Sequence, residues 1–184
     1  MNQTKSSHIC PESPDQLLAQ IAAGSVDALA RLYEQVRGAV YGVALSYLKN
    51  GEDAQDVMQD VFVKIWDGAP AYEPRGAAMA WIMTITRNEA LMALRSRSHG
   101  AQLEEEAWAA IPSASSGVTE DDKILLQQAL GILSDQERKI VIFHGAAGLR
   151  HREVAQILNL PLSTVLSKYH RALKKMKDNM EGVV

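Results

Sequence analysis

Residues 149–177, LRHREVAQILNLPLSTVLSKYHRALKKMK, constrain this chain more than any other stretch. Two apolar sets recur there at helical spacing: Val154, Ile157 and Leu158, then Val165, Tyr169, Ala172, Leu173 and Met176. Asn159-Leu160-Pro161-Leu162 separates them, so the pattern predicts helix, short turn, helix. The second helix starts either with Pro161 in its first position or with Ser163 as its N-cap. At about 100° per residue, Thr164, Ser167, Lys168, Arg171, Lys174 and Lys175 lie away from the apolar stripe. From Ser163 to Lys177 there are five Lys or Arg residues and no Asp or Glu. Such a one-sign face forgoes intrahelical pairing, and nucleic acid is the polyanion that suits it. A helix-turn-helix places the first turns of its second helix in the major groove, where hydroxyl and cationic side chains meet base edges and phosphates. On this stretch alone, the alternative is a helical hairpin with a solvated basic end.

The rest of the 184 residues supplies enough apolar content, 47%, for one large or two small cores. Aromatics are only 5%, and no long run alternates apolar and polar residues, so the chain reads as all-α. It has no stretch of eighteen uninterrupted apolar residues, and MNQTKSSHIC is too polar for a signal peptide, which predicts a cytoplasmic protein without membrane insertion. Cys10 is the single cysteine, which excludes an internal disulfide and a multi-cysteine zinc site; His8 and Cys10 read either as a metal clip or, the favoured reading, as ordinary residues of a polar tail. The net charge of −3 conceals segregation. Residues 101–122 carry six acids and no Lys or Arg, whereas residues 123–177 carry ten Lys or Arg against three acids, a balance of +7. The modest overall charge therefore leaves room for DNA binding by the C-terminal part.

Read in order, residues 1–14 form a tail, 15–97 a first helical domain, 98–119 an acidic flexible linker and 120–184 a second helical domain containing the helix-turn-helix. A short helix is expected over 16–23, closed by Gly24, and a long one after the Ser25 cap, with Gly38 and Gly42 either allowing close packing or marking a bend. After the turn Lys49-Asn50-Gly51, the segment EDAQDVMQDVFVKIW sets a core stripe of Ala54, Val57, Met58, Val61, Phe62, Ile65 and Trp66. Its other face carries Asp53, Asp56, Gln59, Asp60 and Lys64, with Val63 exposed beside them. The helix dipole explains acids in the first turn but not Asp60 or Val63, so this face is either a protein-docking surface or a solvated one.

A Pro- and Gly-rich loop follows, with Tyr72 and Arg75 as a stacking aromatic beside a cation, or as a tyrosine packed back on its domain. The next helix, about 77–95, packs Trp81, Ile82, Ile85 and Met92 inward and offers Thr84, Arg87, Asn88 and Arg95 outward, with Arg97 beyond. An amphipathic turn over 103–111 would cover Trp108 and Ile111. Further helices are expected from Thr119 to Leu133 and, capped by Ser134, over 135–143, before Gly145 and Gly148.

Ordered fragments carry a resemblance. LYEQVRGAVYGVALSYL, EDAQDVMQDVFVKIW and AYEPRGAAMAWIMTITRN, then LSDQERKIVIF, GLRHREVAQILNLPLSTV and KYHRALKKM, together resemble the extracytoplasmic-function (ECF) group of bacterial RNA polymerase sigma factors over about residues 15–97 and 120–177. The resemblance implies an alternative sigma factor that binds core RNA polymerase and directs initiation at promoter DNA, in response to stress and under control of an anti-sigma partner. It implies a region-2-like first domain docking on polymerase through Asp53, Asp56, Gln59, Asp60 and Val63. It further implies that Tyr72 and Asn88, with Arg75, Thr84 and Arg87, hold the melted minus-ten strand. The second domain would read the minus-thirty-five element through Thr164, Ser167, Lys168 and Arg171, with Lys174 and Lys175 on phosphates. Leu166 departs from the basic residue common in the family before the serine.

A helix-turn-helix regulator with an N-terminal sensor or dimerisation domain is the rival reading, but it has no need of the acidic helix or of the Tyr72/Asn88 pair. No phosphate loop, nucleophile motif or metal-spaced His/Cys set is present, so no catalytic residue, metal or cofactor is assigned; His144 and His170 read as helix-surface residues.

Overall fold

The computed structural model describes residues 12–97 and 120–181, and all of their regular structure is helical. The expected linker, the turn over 103–111 and the His8/Cys10 tail lie outside the described residues. Eight α-helices follow one another: α1 (Pro14–Ala22), α2 (Val26–Leu48), α3 (Gly51–Gly68), α4 (Ala78–Arg97), α5 (Glu120–Gly131), α6 (Asp135–Val141), α7 (His151–Leu158) and α8 (Leu162–Glu181). None of them is long and apolar enough to cross a membrane.

Caps set most of the boundaries. Helix α1 begins two residues earlier than its apolar pattern suggests, because Ser13 and Gln16 form a reciprocal capping box with Pro14 in the first turn. Ser25 caps α2 through the Ala28 N–H, and Asn50, which the sequence marks only as a turn residue, caps α3 through the Asp53 N–H. Ser134 caps α6 as expected, and Glu137 reaches back to the Ser134 N–H to complete a capping box. Asn159 takes the left-handed conformation (φ 53°) that ends α7, and the Pro161 carbonyl accepts from the Val165 N–H. Helix α8 therefore starts at Leu162, between the two starts the sequence offers.

Helices α1–α4 form a bundle around Leu17, Leu18, Leu32, Val36, Val40, Leu45, Val61, Ile65, Ile82 and Met83, all almost completely buried. Each such side chain removed from water contributes roughly 1.5–3 kcal/mol. Glu89, nearly buried on α4, pairs with Lys64 of α3 at 3.0 Å. Helix α2 is unbroken at its glycines. Gly42 instead meets the C-terminal half, since a Cβ there would stand 3.7 Å from Ile142 Cγ2.

That contact exists because α6 ends in one wide helical turn, Ile142–Ala146, in which the Ala147 N–H reaches the Ile142 carbonyl five residues back. The turn sets Ile142 and Phe143 into the same core as α2, so the two halves of the chain pack on one another. At the edge of this contact Lys139 Nζ lies 3.9 Å above the Tyr47 ring, and Lys49 pairs with Asp135 at 3.2 Å. Burial lowers the Lys139 ammonium below the usual lysine range.

Within the C-terminal half, Arg138 is buried and donates to the carbonyls of Leu130, Gly131 and Leu133, satisfying the end of α5. His144 is not the surface residue its sequence context suggests. Its Nδ1–H donates to the Leu149 carbonyl at 2.7 Å, its ring stacks on His151 with centroids 4.1 Å apart, and Tyr169 of α8 packs against both. Burial, with His144 and His170 nearby, holds His151 below the ordinary histidine range, which favours its neutral ring within this brace of the helix-turn-helix.

Candidate nucleic-acid interface

Three groups of side chains remain at the surface after the core has formed. The first lies on α3. Asp56, Gln59, Asp60 and Val63 are exposed on one face, Val63 to 60%. Asp53 is half-buried in the first turn, where its N–H is held at 3.1 Å by the Asn50 side chain. The opposite face of α3 is fixed by Ala54, Val57, Val61 and Ile65, so the acidic row is a rigid consequence of helical period.

The second group forms a cleft of about 590 Å³ between the loop after α3, α4 and α7. Tyr72, Arg75, Thr84 and Arg87 line it together with Trp81, and Glu153, Gln156 and Ile157 of α7 close the far side. Asn88 does not line it; it is exposed one helical turn beyond Thr84 on α4. Tyr72 is half-buried rather than free: its ring tilts against Trp81 with centroids 5.0 Å apart, and its hydroxyl donates to Asp15 Oδ1 at 2.7 Å. The same carboxylate oxygen accepts the Gly76 N–H at 3.1 Å, tying the loop to α1. Burial and the Asp15 carboxylate push the Tyr72 phenol up to about 12, so it stays neutral. Trp81 and Asp15 are the members that sequence reasoning misses. The helical period assigns Trp81 to the core, and Asp15 lies 57 positions away from its partner.

Two of the expected contacts in this cleft are already engaged. Arg87 donates to Asn88 Oδ1 at 3.2 Å, while Arg75 pairs with Glu73. Thr84, also in the lining, donates its Oγ1 hydroxyl to the Ala80 carbonyl at 2.7 Å.

The third group is on α8. Ser167, Arg171 and Lys174 are exposed, and Thr164 and Lys168 are half-buried. Ser167 Oγ donates to the Thr164 carbonyl at 3.0 Å. Lys175 departs from the expected phosphate role: it donates to both Glu137 oxygens, at 3.1 and 2.8 Å, and that carboxylate is only 2% exposed. Burial alone would raise the Glu137 carboxyl, but bonds from Lys175 and Ser134 outweigh it and hold the group down to about 2. Lys175 therefore fastens α8 to the start of α6.

This arrangement has relatives. Residues 32–100 match the model of Sigma-70 region 2, and residues 123–176 match that of Sigma-70, region 4. Over 171 residues the chain is 30% identical to the ECF RNA polymerase sigma factor SigK of Mycobacterium sp. (strain KMS), covering 89% of each chain. The chain belongs to the ECF sigma factors of the sigma-70 family. The SigK of Mycobacterium tuberculosis (strain ATCC 25177 / H37Ra) is 25% identical over 174 residues, covering 91% of this chain and 93% of that one. Among solved structures, the sigma factor RpoE of Bartonella quintana, crystallised with the anti-sigma factor NepR, superposes with a TM-score of 0.65 at 26% identity, over 85% of this chain and 98% of that one. CnrH, solved with the cytosolic domain of CnrY, shares the fold with a TM-score of 0.63 at 22% identity, over 93% and 99% of the two chains. This sigma factor is thus an all-α, two-region transcription initiation factor that joins core RNA polymerase and directs it to promoters. The sensor-domain alternative falls with the region 2 match.

Proposed function

We propose that the three surfaces divide the work of initiation: the α3 face docks on core polymerase, the Tyr72 cleft receives a melted minus-ten base, and α8 reads the minus-thirty-five duplex. The observation that carries this reading is that an acidic-apolar row, an aromatic-lined cleft and a cationic helix are built on different elements of one small chain. None of these groups makes or breaks a covalent bond; the protein acts by binding, as a cytoplasmic factor. Strand opening draws on base stacking, since a flipped base regains about 1–3 kcal/mol on an aromatic platform.

The wall formed by Glu153, Gln156 and Ile157 gives the cleft a second property. A strand that enters the cleft meets α7 on its far side, where the Glu153 carboxylate would repel its phosphates. Any partner that holds the two halves together keeps the factor silent. The NepR complex of the Bartonella relative supports an anti-sigma protein in that role.

Co-migration with bacterial core polymerase, followed by initiation from a genomic fragment library, tests the whole reading; a discrete set of start sites is expected. On one such promoter, Tyr72→Ala should reduce permanganate reactivity of the minus-ten thymines by about tenfold, whereas Tyr72→Phe keeps the ring and loses only the bond to Asp15. Wild-type opening by Tyr72→Ala would remove the stacking assignment.

A further inference from the structure

The first turns of α8 present two outward rows at four-residue spacing. Ser163, Ser167 and Arg171 form one, and Leu162, Leu166 and His170 form the other; all six are exposed. The inward side of the helix is already filled by Val165 and Ala172, both fully buried, so Leu162 and Leu166 are not needed for the core. They stand 37% and 36% exposed and share a groove with Arg150, Arg152, Glu153 and Gln156 at the start of α7. An apolar lip is thus set between polar rows at the end of the helix-turn-helix that enters a groove. No acidic residue occupies the first two turns of α8 to oppose DNA.

In the major groove the thymine C5-methyl is the apolar feature that a leucine can recognise; every other base edge offers donors and acceptors. Resting on the proposal that α8 reads the upstream duplex, we infer that Leu166, flanked by Leu162, fixes a thymine in the minus-thirty-five element by packing on its methyl group. The Ser/Arg row reads hydrogen-bonding edges, and the leucine row reads shape and methylation of the adjoining base. Specificity at that base pair is then independent of salt, unlike the contribution of the cations.

The test uses holoenzyme reconstituted with core polymerase on a promoter from the initiation experiment. Each thymine of the upstream element is replaced in turn by deoxyuridine, which removes only the methyl. Wild-type holoenzyme is expected to lose about fourfold in affinity at one position, the factor that about 0.8 kcal/mol per buried methyl gives. Leu166→Ala holoenzyme should bind the thymine duplex more weakly by a similar factor and be indifferent to deoxyuridine at that position. Leu166→Arg should raise the log–log salt slope by about 0.9, because it places a cation at the same spot. If that slope rises and yet every deoxyuridine ratio is the same in wild type and Leu166→Ala, methyl reading is overturned while α8 keeps its place on DNA. If the slope does not move, Leu166 does not face the duplex, and the reading of α8 falls with the inference.

Discussion

Asp56→Arg combined with Asp60→Arg is expected to abolish association with core RNA polymerase while leaving the fold unchanged. Both carboxylates are exposed on α3, away from the buried row of Ala54, Val57, Val61 and Ile65. Surface substitutions of this kind usually change stability by no more than about 0.5 kcal/mol. At an interface the same change replaces two attractive charges with two repulsive ones, and like-charge juxtaposition costs several kcal/mol. A loss of at least about a hundredfold in affinity follows, since each 1.4 kcal/mol is about tenfold. The measurement is titration of labelled variant with core enzyme, with thermal unfolding as the control. Asp53→Arg serves as the contrast: in the first turn, next to the Asn50 cap, it opposes the helix dipole and lowers stability as well as binding. Unchanged core affinity of the double variant would remove the docking face from α3.

The α3 face is legible in the sequence because one helical period fixes both what is buried and what is left outside. The caps at Ser25 and Ser134 are legible for a similar reason: the bonds are local, spanning three residues. What periodicity cannot give are contacts made across sequence distance. Tyr72 has the sequence setting of a free loop aromatic and is instead held by Asp15. Ile142 and Phe143 carry the apolar pattern of an ordinary short helix, yet the wide turn at its end directs them to α2 rather than into their own hairpin. An apolar stripe records that a face is buried, never which partner covers it. The packing of the two halves, and with it the α7 wall of the cleft, therefore has no sequence signature.

Lys175 shows the same limit on a charged residue and leads to the second large effect. By angle it belongs with Lys168 and Arg171, but its ammonium is bound to Glu137, 38 positions earlier. Lys168→Ala with Arg171→Ala should weaken upstream promoter binding and lower its salt slope, by about 0.9 for each phosphate that is no longer neutralised. Lys175→Ala should leave that slope alone and instead destabilise the fold by about 3 kcal/mol, because a carboxylate only 2% exposed is left without its cation. The pH dependence separates the two roles further. Glu137 is depressed from 4.5 to about 2, so its contribution is fully present above the unfolded value and is lost as pH falls from about 4.5 toward 2. Denaturant unfolding across that window should show the loss in the wild type and a smaller one in Glu137→Gln. A Lys175→Ala variant that folds with wild-type stability and a reduced salt slope would return Lys175 to the phosphate backbone and leave Glu137 held by Ser134 alone.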